Sequence, residues 1–372
     1  MSVPENDQEP AFTVHLNGSG GDVRGWVVVD SLVDGLGMGG VRMTPGVTEE
    51  EVAGLARDMT DKFTLAGLRI GGAKGGIVSD GSNREQTFRV FGRTVKPLLH
   101  GGIHLGIDMG VTPADRAVFF DEAGYDPRYR LGAPDMPIDW RTYYEPLIDV
   151  TGHGVGVAAV TALEASGRTE PARVVVQGFG AVGRSVARFL EDRGHLVVAV
   201  ADVRGTISAD RLPVADLIAV TDEFGEIDRS RLPGHVTVSG EPDAWLDVDA
   251  DLLVLAAQKH ALTAENTHRL RPGLVVEGAN LASSPAAREK VAASGAALVP
   301  GVIANIGGAG AAALAVTRVV PFDLPADARK EWVFDWVGDR VRQNTRDLLD
   351  IASARAGDPL PELLEARRKD RR

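Results

Sequence analysis

The chain has 372 residues and a formal net charge of −12 at pH 7. This length is enough for two domains with their own cores, and the acidic balance argues against nucleic acid or an anionic membrane as a main partner. Because the chain has no cysteine, disulfides, thiolate catalysis and cysteine-ligated metal are excluded, and no histidine and carboxylate spacing suggests a metal site.

The N-terminal residues 1–10 are polar and acidic and lack the apolar core of a signal peptide. No apolar run reaches the length that a membrane span needs. The sequence therefore predicts a cytoplasmic protein.

The first part of the chain, residues 12–150, mixes strand-like runs with helices. Residues 25–30 predict a strand, and Thr48 is expected to cap a helix with Glu51 in the capping-box position. Apolar residues then recur at helical spacing, and Lys62 lies at the edge of that apolar face. A lysine in such a place usually keeps its ammonium group in water.

Lysine is rare in this sequence, with seven lysines against thirty-three arginines. Lysine can lose its proton when buried, whereas arginine effectively cannot. Lys74 lies among four glycines in residues 71–77 (GGAKGGI), so we predict that it is a working amine.

A second strand is predicted over residues 102–107, directly before Asp108, and Thr112 with Pro113 then predicts the start of a helix. A carboxylate at the C-terminal end of a strand is where α/β proteins tend to place their chemistry. The alternative is a turn or cap aspartate, which is common.

The pattern changes after residue 170, where an apolar strand over residues 173–177 leads into glycines at 178, 180 and 183. A helix is predicted over residues 184–193 and a second strand over residues 196–201, directly before Asp202. This order is typical of a dinucleotide-binding unit. Gly178 would permit the tight turn, Gly180 the approach of a pyrophosphate and Gly183 a close helix–strand contact, and Asp202 would bind the adenosine ribose.

Further strands over residues 251–256 and 273–277 would continue a doubly wound sheet. Asn280 follows the second of them, where it can reach a nicotinamide or simply cap a turn. We therefore predict an α/β fold with two domains, an N-terminal α/β substrate domain over residues 1–148 and a doubly wound Rossmann domain over residues 149–324. The last helical segment, residues 325–372, is expected to pack back onto the first domain.

Together these motifs resemble the glutamate/leucine/phenylalanine/valine dehydrogenase family. The resemblance runs from about Gly35 to Gly310, and Ile306 departs from the family's usual alanine. It rests on residues 39–42 (GGVR), 59–62 (MTDK), 71–77 (GGAKGGI), 108–110 (DMG), 151–155 (TGHGV), 277–280 (EGAN) and 305–308 (NIGG).

The resemblance implies roles for individual residues. Lys74 would be the general base for water attacking an imine, and Asp108 would exchange a proton with the substrate amine. Lys62 would hold the substrate α-carboxylate, and Asn305 or a nearby carbonyl would orient the amine. The remaining residues implied at the substrate are Met38, Gly39, Gly40, Met59 and Ala309, and those implied at the cofactor are Thr151, Gly178, Phe179, Gly180, Ala181, Val182, Gly183, Asp202, Ala256 and Asn280.

The implied reaction is the reversible oxidative deamination of an L-amino acid to the 2-oxo acid and ammonia. Glutamate-specific members resemble Lys-Gly-Gly where this chain has Met38, and they carry a serine near Ala312. The departures predict an apolar substrate, aromatic or branched-chain, and the small residues 309–312 suggest room for a large side chain. Asp202 favours NAD because a 2′-phosphate would meet a like charge, although Arg204 keeps NADP open.

Other functions remain open at this point. They are glutamate dehydrogenase, a non-catalytic dinucleotide-binding sensor or partner subunit, and a hydroxy-acid dehydrogenase with His104 or His153 as its base. The resemblance also implies a homo-oligomer whose partners are small molecules, namely amino acids, 2-oxo acids and ammonia.

Overall fold

The computed structural model describes residues 9–17, 23–130, 132–355 and 357–370. The chain divides into two compact units, of which the first contains Met1–Pro146 and Ala309–Arg329 and the second contains Leu147–Gly308 and Lys330–Arg372. Residues 1–8, on which the expected localisation partly rests, lie outside the described residues.

The first unit is an α/β unit built on one mixed sheet. Its strands are β1 (Phe12–Asn17), β2 (Arg24–Val29), β3 (Gly37–Thr44), β4 (Gly71–Val78) and β5 (Ile103–Ile107), and its helices include α1 (Glu49–Leu65), α2 (Arg84–His100), α3 (Pro113–Ala123) and α4 (Trp140–Tyr144). The strand order is β1-β2-β4-β3-β5, in which β3 lies parallel to both β4 and β5. As predicted, the Thr48 hydroxyl caps α1 by accepting from the Glu51 N–H at 3.2 Å.

Strands β3 and β4 were not predicted from the sequence, because glycine is normally depleted from strand interiors. Here the glycines allow main chains to approach each other. A Cβ placed on Gly39 would lie 1.6 Å from the Ala73 carbonyl oxygen, and one on Gly72 would lie 2.4 Å from the Ala56 carbonyl oxygen. The backbone of α1 therefore rests directly on the backbone of β4.

Polar side chains fix α1 on the sheet at this point. Asp30, at the end of β2, accepts from Arg57 Nε at 2.5 Å and from the Thr60 hydroxyl, whose oxygen lies 2.8 Å from Ser31 Oγ. Buried hydrogen bonds to a charged group are among the stronger ones in proteins. They set the position of Lys62, which lies two residues further along the same helix.

The second unit contains a doubly wound sheet of seven strands. The strands are β6 (Arg173–Gln177), β7 (Leu196–Asp202), β8 (Gly205–Ser208), β9 (Thr237–Ser239), β10 (Leu252–Leu255), β11 (Leu274–Glu277) and β12 (Ala297–Val299), in the order β12-β11-β10-β6-β7-β8-β9. Strand β6 lies parallel to β7 on one side and to β10 on the other. The chain order reverses there, and ligands of such sheets bind at the carboxyl ends of these strands.

The remaining helices are α5 (Val150–Ala165), α6 (Ala181–Glu191), α7 (Val214–Ala219), α8 (Pro285–Ala293), α9 (Gly301–Ala304), α10 (Gly307–Val316), α11 (Ala326–Ala354) and α12 (Leu360–Asp370). The long helix α11 and the C-terminal α12 fall largely in the second unit, so the expectation that residues 325–372 pack onto the first domain was wrong. Val337 and Val341 explain this, because their methyl groups lie 3.4 Å and 3.6 Å from a Cβ placed on Gly154 of α5.

One stretch, Trp140–Ala165, is long and apolar enough to cross a membrane by length and composition, contrary to the sequence expectation. In the structure 67% of its most apolar window is buried inside the protein. Because a buried core helix passes the same test, this stretch is only weak evidence for a membrane span.

Candidate active site

One face of the first sheet carries Met38 and Lys74, two of the residues predicted at the substrate. Met38 lies opposite Gly72 on one side and opposite His104 on the other. Registered residues of parallel strands share a face, and so does Lys74, two residues beyond Gly72. Helix α1 covers part of this face, since a Cβ on Gly72 would lie 2.3 Å from the Thr60 nitrogen.

Lys74 and Asp108, the two predicted catalytic residues, form an ion pair. Lys74 Nζ lies 3.2 Å from Asp108 Oδ1, and the two side chains are 3% and 14% exposed. Asp108 directly follows β5, as the sequence predicted. The structure therefore brings the Asp108 carboxylate and the Lys74 amine together at the C-terminal end of β5.

Arg42 completes this cluster and was missed as a site residue. Its Nε donates to Asp108 Oδ2 at 2.8 Å, and its Nη1 donates to Glu51 Oε1 at 2.7 Å. A signal was present in the sequence, because an arginine within an apolar strand must be paired when it is buried. The sequence did not indicate that the partner would be Asp108.

The charges around Asp108 keep it ionised. Burial raises the pKa of Asp108, but the attraction of Lys74 and Arg42 and their hydrogen bonds outweigh it, so the pKa lies below its ordinary value. Asp108 is therefore a carboxylate at neutral pH, able to accept a proton or a hydrogen bond from an ammonium group.

Lys62 is buried, with 4% of its surface exposed, so the expectation of an ammonium group in water was wrong. Burial lowers the pKa of Lys62 to about 8, with Lys74 acting in the same direction and Asp58 opposing it. A side chain with this pKa is mostly charged at pH 7 and becomes neutral at moderately alkaline pH.

The other predicted substrate residues lie in both units. Met38 and Met59 are buried, and a Cβ on Gly40 would lie 2.9 Å from Asp108 Cβ, which places the Gly39–Gly40 backbone beside the carboxylate. Ala309, on α10, belongs to the first unit, whereas Asn305 belongs to the second. Their roles at a substrate stay predictions.

The two histidines considered as bases pack within the protein. Burial lowers the pKa of His104 to about 3, aided by Arg116 and Arg318. Burial also lowers the pKa of His153, whose ring contacts Phe334 with centroids 5.0 Å apart. An effective general base has a pKa near the working pH, and burial moves the pKa of both histidines away from it. Neither residue therefore supports a hydroxy-acid dehydrogenase.

The glycine loop after β6 has the shape that a dinucleotide phosphate needs. Gly178 has φ 97°, and a Cβ there would lie 2.6 Å from the Ala257 nitrogen. A Cβ on Gly183 would lie 1.9 Å from the Gly178 carbonyl oxygen, whereas no described atom lies within 4 Å of one on Gly180.

Helix α6 starts at Ala181, three residues earlier than the start predicted from the sequence, with Gly180 as its N-cap. Ala181, Val182 and Gly183 thus form its first turn. N–H groups in the first turn of a helix have no acceptor within that helix, so these positions fit a pyrophosphate.

Asn280 and Asn305 are hydrogen-bonded to each other near the end of β11. The sequence predicted this position for Asn280. The Nδ2 group of Asn305 donates to the Gly278 carbonyl and to Asn280 Oδ1, each at 3.2 Å. Its Oδ1 is buried without a hydrogen-bond partner among the described residues. A buried acceptor left unpaired costs free energy, so this atom is suited to an N–H group of a ligand.

The remaining predicted cofactor residues surround the same sheet edge. Ala256 follows β10 and donates from its N–H to the Gln177 carbonyl at 2.6 Å, and Phe179 is buried in the glycine loop. The hydroxyl of Thr151, in the first turn of α5, accepts from the Gly308 N–H at 3.0 Å. Their contacts with a cofactor stay predictions.

Asp202 ends β7 as predicted, but its carboxylate already has protein partners. It accepts from the N–H groups of Arg204 and Ile227, each at 2.8 Å, and from both Nη atoms of Arg229, with Nη2 at 2.7 Å. Its side chain is 2% exposed. The structure therefore corrects the prediction that Asp202 is placed to bind a ribose, because Arg229 comes from a distant segment that the local pattern does not reveal.

Both parts of the chain match models of one known protein family. Residues 147–320 match the family described as Glutamate/Leucine/Phenylalanine/Valine dehydrogenase, and residues 8–125 match Glu/Leu/Phe/Val dehydrogenase, dimerisation domain. The chain belongs to the glutamate/leucine/phenylalanine/valine dehydrogenase family. Both the predicted family and the predicted two-domain α/β fold are thereby confirmed.

Several relatives within this dehydrogenase family carry the glutamate name. Glutamate dehydrogenase A2 of Halobacterium salinarum is 33% identical over 73% of this chain, which spans 66% of that protein's length. The NADP-specific glutamate dehydrogenase of Saccharolobus shibatae is 31% identical (79% of this chain, 72% of that protein), and the NAD-specific enzyme of Staphylococcus aureus is 29% identical (90% and 78%).

A solved structure in this group is similar over nearly the whole chain. It is the hetero-hexameric glutamate dehydrogenase from Thermus thermophilus in a leucine-bound form, with a TM-score of 0.76 and 28% sequence identity. The similarity covers 96% of this chain and 89% of that one. Similarity to this family therefore extends over nearly the whole chain, and the names of the relatives do not agree on one cofactor.

Proposed function

We propose that the protein catalyses the reversible oxidative deamination of an L-amino acid. The substrate, water and an oxidised nicotinamide dinucleotide would give the 2-oxo acid, ammonium, the reduced dinucleotide and a proton. The observation that carries this proposal is the buried cluster in which Asp108 is held between Lys74 and Arg42, with Lys62 close enough for both Lys74 and Asp108 to affect its pKa.

Each buried charge has a distinct task in this reaction. Protonated Lys62 would attract the substrate α-carboxylate, and ionised Asp108 would take a proton from the substrate ammonium so that its nitrogen lone pair becomes available. Once it has given up its own proton, neutral Lys74 would remove a proton from the water that attacks the resulting imine carbon. The bound nicotinamide would supply the acceptor for the Cα hydride.

This cluster also argues against a non-catalytic sensor or partner subunit. Burying three cations and two carboxylates together, Glu51 included, is costly unless their geometry is kept. A protein that only bound dinucleotide would gain nothing from that cost in its first unit.

The identity of the amino acid has two candidates, each with its own support. The names of the relatives favour glutamate, the alternative from the sequence. Met38 favours an apolar substrate, because it presents a buried thioether on the same sheet face as Lys74, and a second substrate carboxylate brought there without a partner would cost several kcal/mol.

A panel of amino acids assayed with wild type and with Met38→Lys separates these candidates. For an apolar substrate, wild type should favour leucine or phenylalanine over glutamate, and the added cation should shift the ratio of kcat/KM values toward glutamate. A wild type that favours glutamate would establish the second candidate instead.

For the cofactor we propose NAD. Glu226 lies near the end of β7 at the cofactor-binding edge, and its side chain is 40% exposed. Its negative charge would repel a 2′-phosphate. Turnover with NAD and NADP at equal concentration tests this proposal, and a clear preference for NADP would overturn it.

We also propose a cytoplasmic homo-oligomer. Its support is the match of residues 8–125 to a dimerisation domain, together with β1 at the edge of its sheet, where unpaired backbone groups can join a second copy. Light scattering after size exclusion would show a mass above the monomer's, and cell fractionation would test the location.

A further inference from the structure

We propose that Arg204 and Glu226 decide between NAD and NADP, and that Asp202 acts by positioning them rather than by touching the cofactor. This inference rests on the proposed function, because it concerns the same dinucleotide site. The choice between NAD and NADP would then depend on Arg204 and Glu226, on the loops beside β7, and not on Asp202 at the end of that strand.

Asp202 holds these two loops together. One carboxylate oxygen accepts from the Arg204 N–H and the other from the Ile227 N–H. The two Nη atoms of Arg229 donate one further hydrogen bond to each oxygen. Four hydrogen bonds use the acceptor capacity of a carboxylate, so little remains for a ribose hydroxyl. The residue neighbouring Ile227 is Glu226, which is therefore fixed beside Arg204.

The loop that carries Glu226 lies against the phosphate-binding loop. A Cβ placed on Gly225 would lie 2.8 Å from the Gly180 nitrogen, so the two backbones are in contact. Asp222 shapes this turn by accepting from the Phe224 and Glu226 N–H groups at 2.9 Å and 2.8 Å. The loop is thereby anchored at the glycines that would hold the pyrophosphate.

Helix α6 adds a further anchor to the same loop. Arg184 Nη1 donates to the Asp222 carbonyl at 3.1 Å. The position of Glu226 is thus determined from the helix, from the glycine loop and from Asp202. In this fold the adenosine ribose lies at the end of the second strand of the unit, beside these residues.

Arg204 and Glu226 form an accessible ion pair at that place. Arg204 Nη1 lies 3.1 Å from Glu226 Oε1, and the side chains are 60% and 40% exposed. A surface pair of this kind is weak and can be exchanged for a ligand. Glu226 can accept hydrogen bonds from the two ribose hydroxyls of NAD, whereas a 2′-phosphate would need Arg204 and would be repelled by Glu226.

Adenosine 2′,5′-bisphosphate and AMP are probes that differ only in the 2′-phosphate. Their affinities for the full-length protein, measured by calorimetry without amino acid, test the pair directly. Wild type should bind AMP at least as tightly as the bisphosphate. Glu226→Gln should improve the affinity for the bisphosphate by about tenfold or more, and adding Arg204→Gln to that variant should remove the gain.

Asp202→Asn is the discriminating control, with thermal melting to confirm that it folds. It should weaken both probes by similar factors, because it loosens both loops. If Asp202→Asn shifts the preference toward the bisphosphate while Glu226→Gln does not, the assignment is wrong. If wild type binds neither probe, the proposed dinucleotide site fails with it, whereas binding without any effect of Glu226→Gln sinks the inference alone.

Discussion

Arg42 Nε donates to Asp108 Oδ2 at 2.8 Å, so the carboxylate oxygen that does not face Lys74 has its own buried cation. The second hydrogen bond of the guanidinium group, to Glu51, ties β3 to the first turn of α1. Arg42 thereby links the proposed catalytic carboxylate to the helix that carries Lys62. Three charged groups of the first unit are held in one arrangement by a residue assigned no direct contact with substrate.

Arg42→Met tests this positioning role. The change leaves Asp108 with one cation and Glu51 without its buried partner, which should lower the unfolding free energy by about 3–5 kcal/mol. The pKa of Asp108 should rise, so the acid limb of kcat/KM should move to higher pH and activity should fall by about tenfold or more at neutral pH.

The double variant Arg42→Met with Glu51→Gln separates stability from chemistry. It removes the buried unpaired carboxylate of Glu51, so part of the lost stability should return, while the displaced acid limb should remain. A single variant whose acid limb coincides with that of wild type would show that Arg42 has only a structural role.

Asp108→Asn and Lys74→Met test the chemistry itself. Each removes a proton-transfer group, which typically contributes about 10²- to 10⁴-fold, so turnover should fall within that range. AMP binding, which depends on residues of the second unit, should stay as in wild type. If turnover survives both substitutions, the assigned mechanism is wrong.

Lys62 should give the reaction an alkaline limit. Its pKa is lowered from 10.5 to about 8, so the ammonium group is present below that pH and is lost as pH rises through it. The KM for the amino acid should therefore increase above about pH 8 while kcat changes less. Initial rates between about pH 6.5 and about pH 10 would show this, because that range brackets the titration of the lysine.

Lys62→Arg is the matched variant for that profile, because arginine keeps its charge throughout this pH range. It should abolish the rise in KM or move it well above pH 8, even if activity is lower overall. Any titration of the substrate's own amine is common to both proteins. An identical rise in the arginine variant would assign the limit to another group.

The parts of this structure that sequence predicted are those specified by neighbouring residues. The strand, glycine turn and helix around Gly178 form one local unit, in which Gly178 has a positive φ and Gly183 packs against the Gly178 carbonyl. Strands β3 and β4 were missed because their glycines are explained by close contacts with distant segments: Gly39 meets the Ala73 carbonyl, and Gly72 meets the backbone of α1.

In the candidate site, too, residues in recognisable local segments were predicted, whereas their partners from distant segments were not. Lys74 and Asp108 could be predicted as a pair because each lies in its own recognisable segment. The arginines that partner the acids could not, because Arg42 reaches Asp108 across 66 residues and Arg229 reaches Asp202 across 27. Charge alone does not reveal which acid an arginine meets when several are present in the chain.

Gly72→Ala tests whether the close approach of α1 to β4 supports the site. The added methyl group would lie 2.3 Å from the Thr60 nitrogen and 2.4 Å from the Ala56 carbonyl oxygen, and backbone atoms cannot move aside as a side chain can. Overpacking of this kind costs about 1–3 kcal/mol, occasionally more. Because the same helix carries Lys62, the KM for the amino acid should rise together with the loss of stability.

Gly54→Ala is the matched control, since Gly54 lies within α1 and no described atom lies within 4 Å of a Cβ placed there. An alanine inside a helix is favoured over glycine by about 0.8–1.0 kcal/mol, so this variant should be more stable and should keep its KM. Urea unfolding and substrate kinetics on both variants measure the two effects. If Gly72→Ala matched wild type in stability and KM, contact between α1 and β4 would not be what places Lys62 in the site.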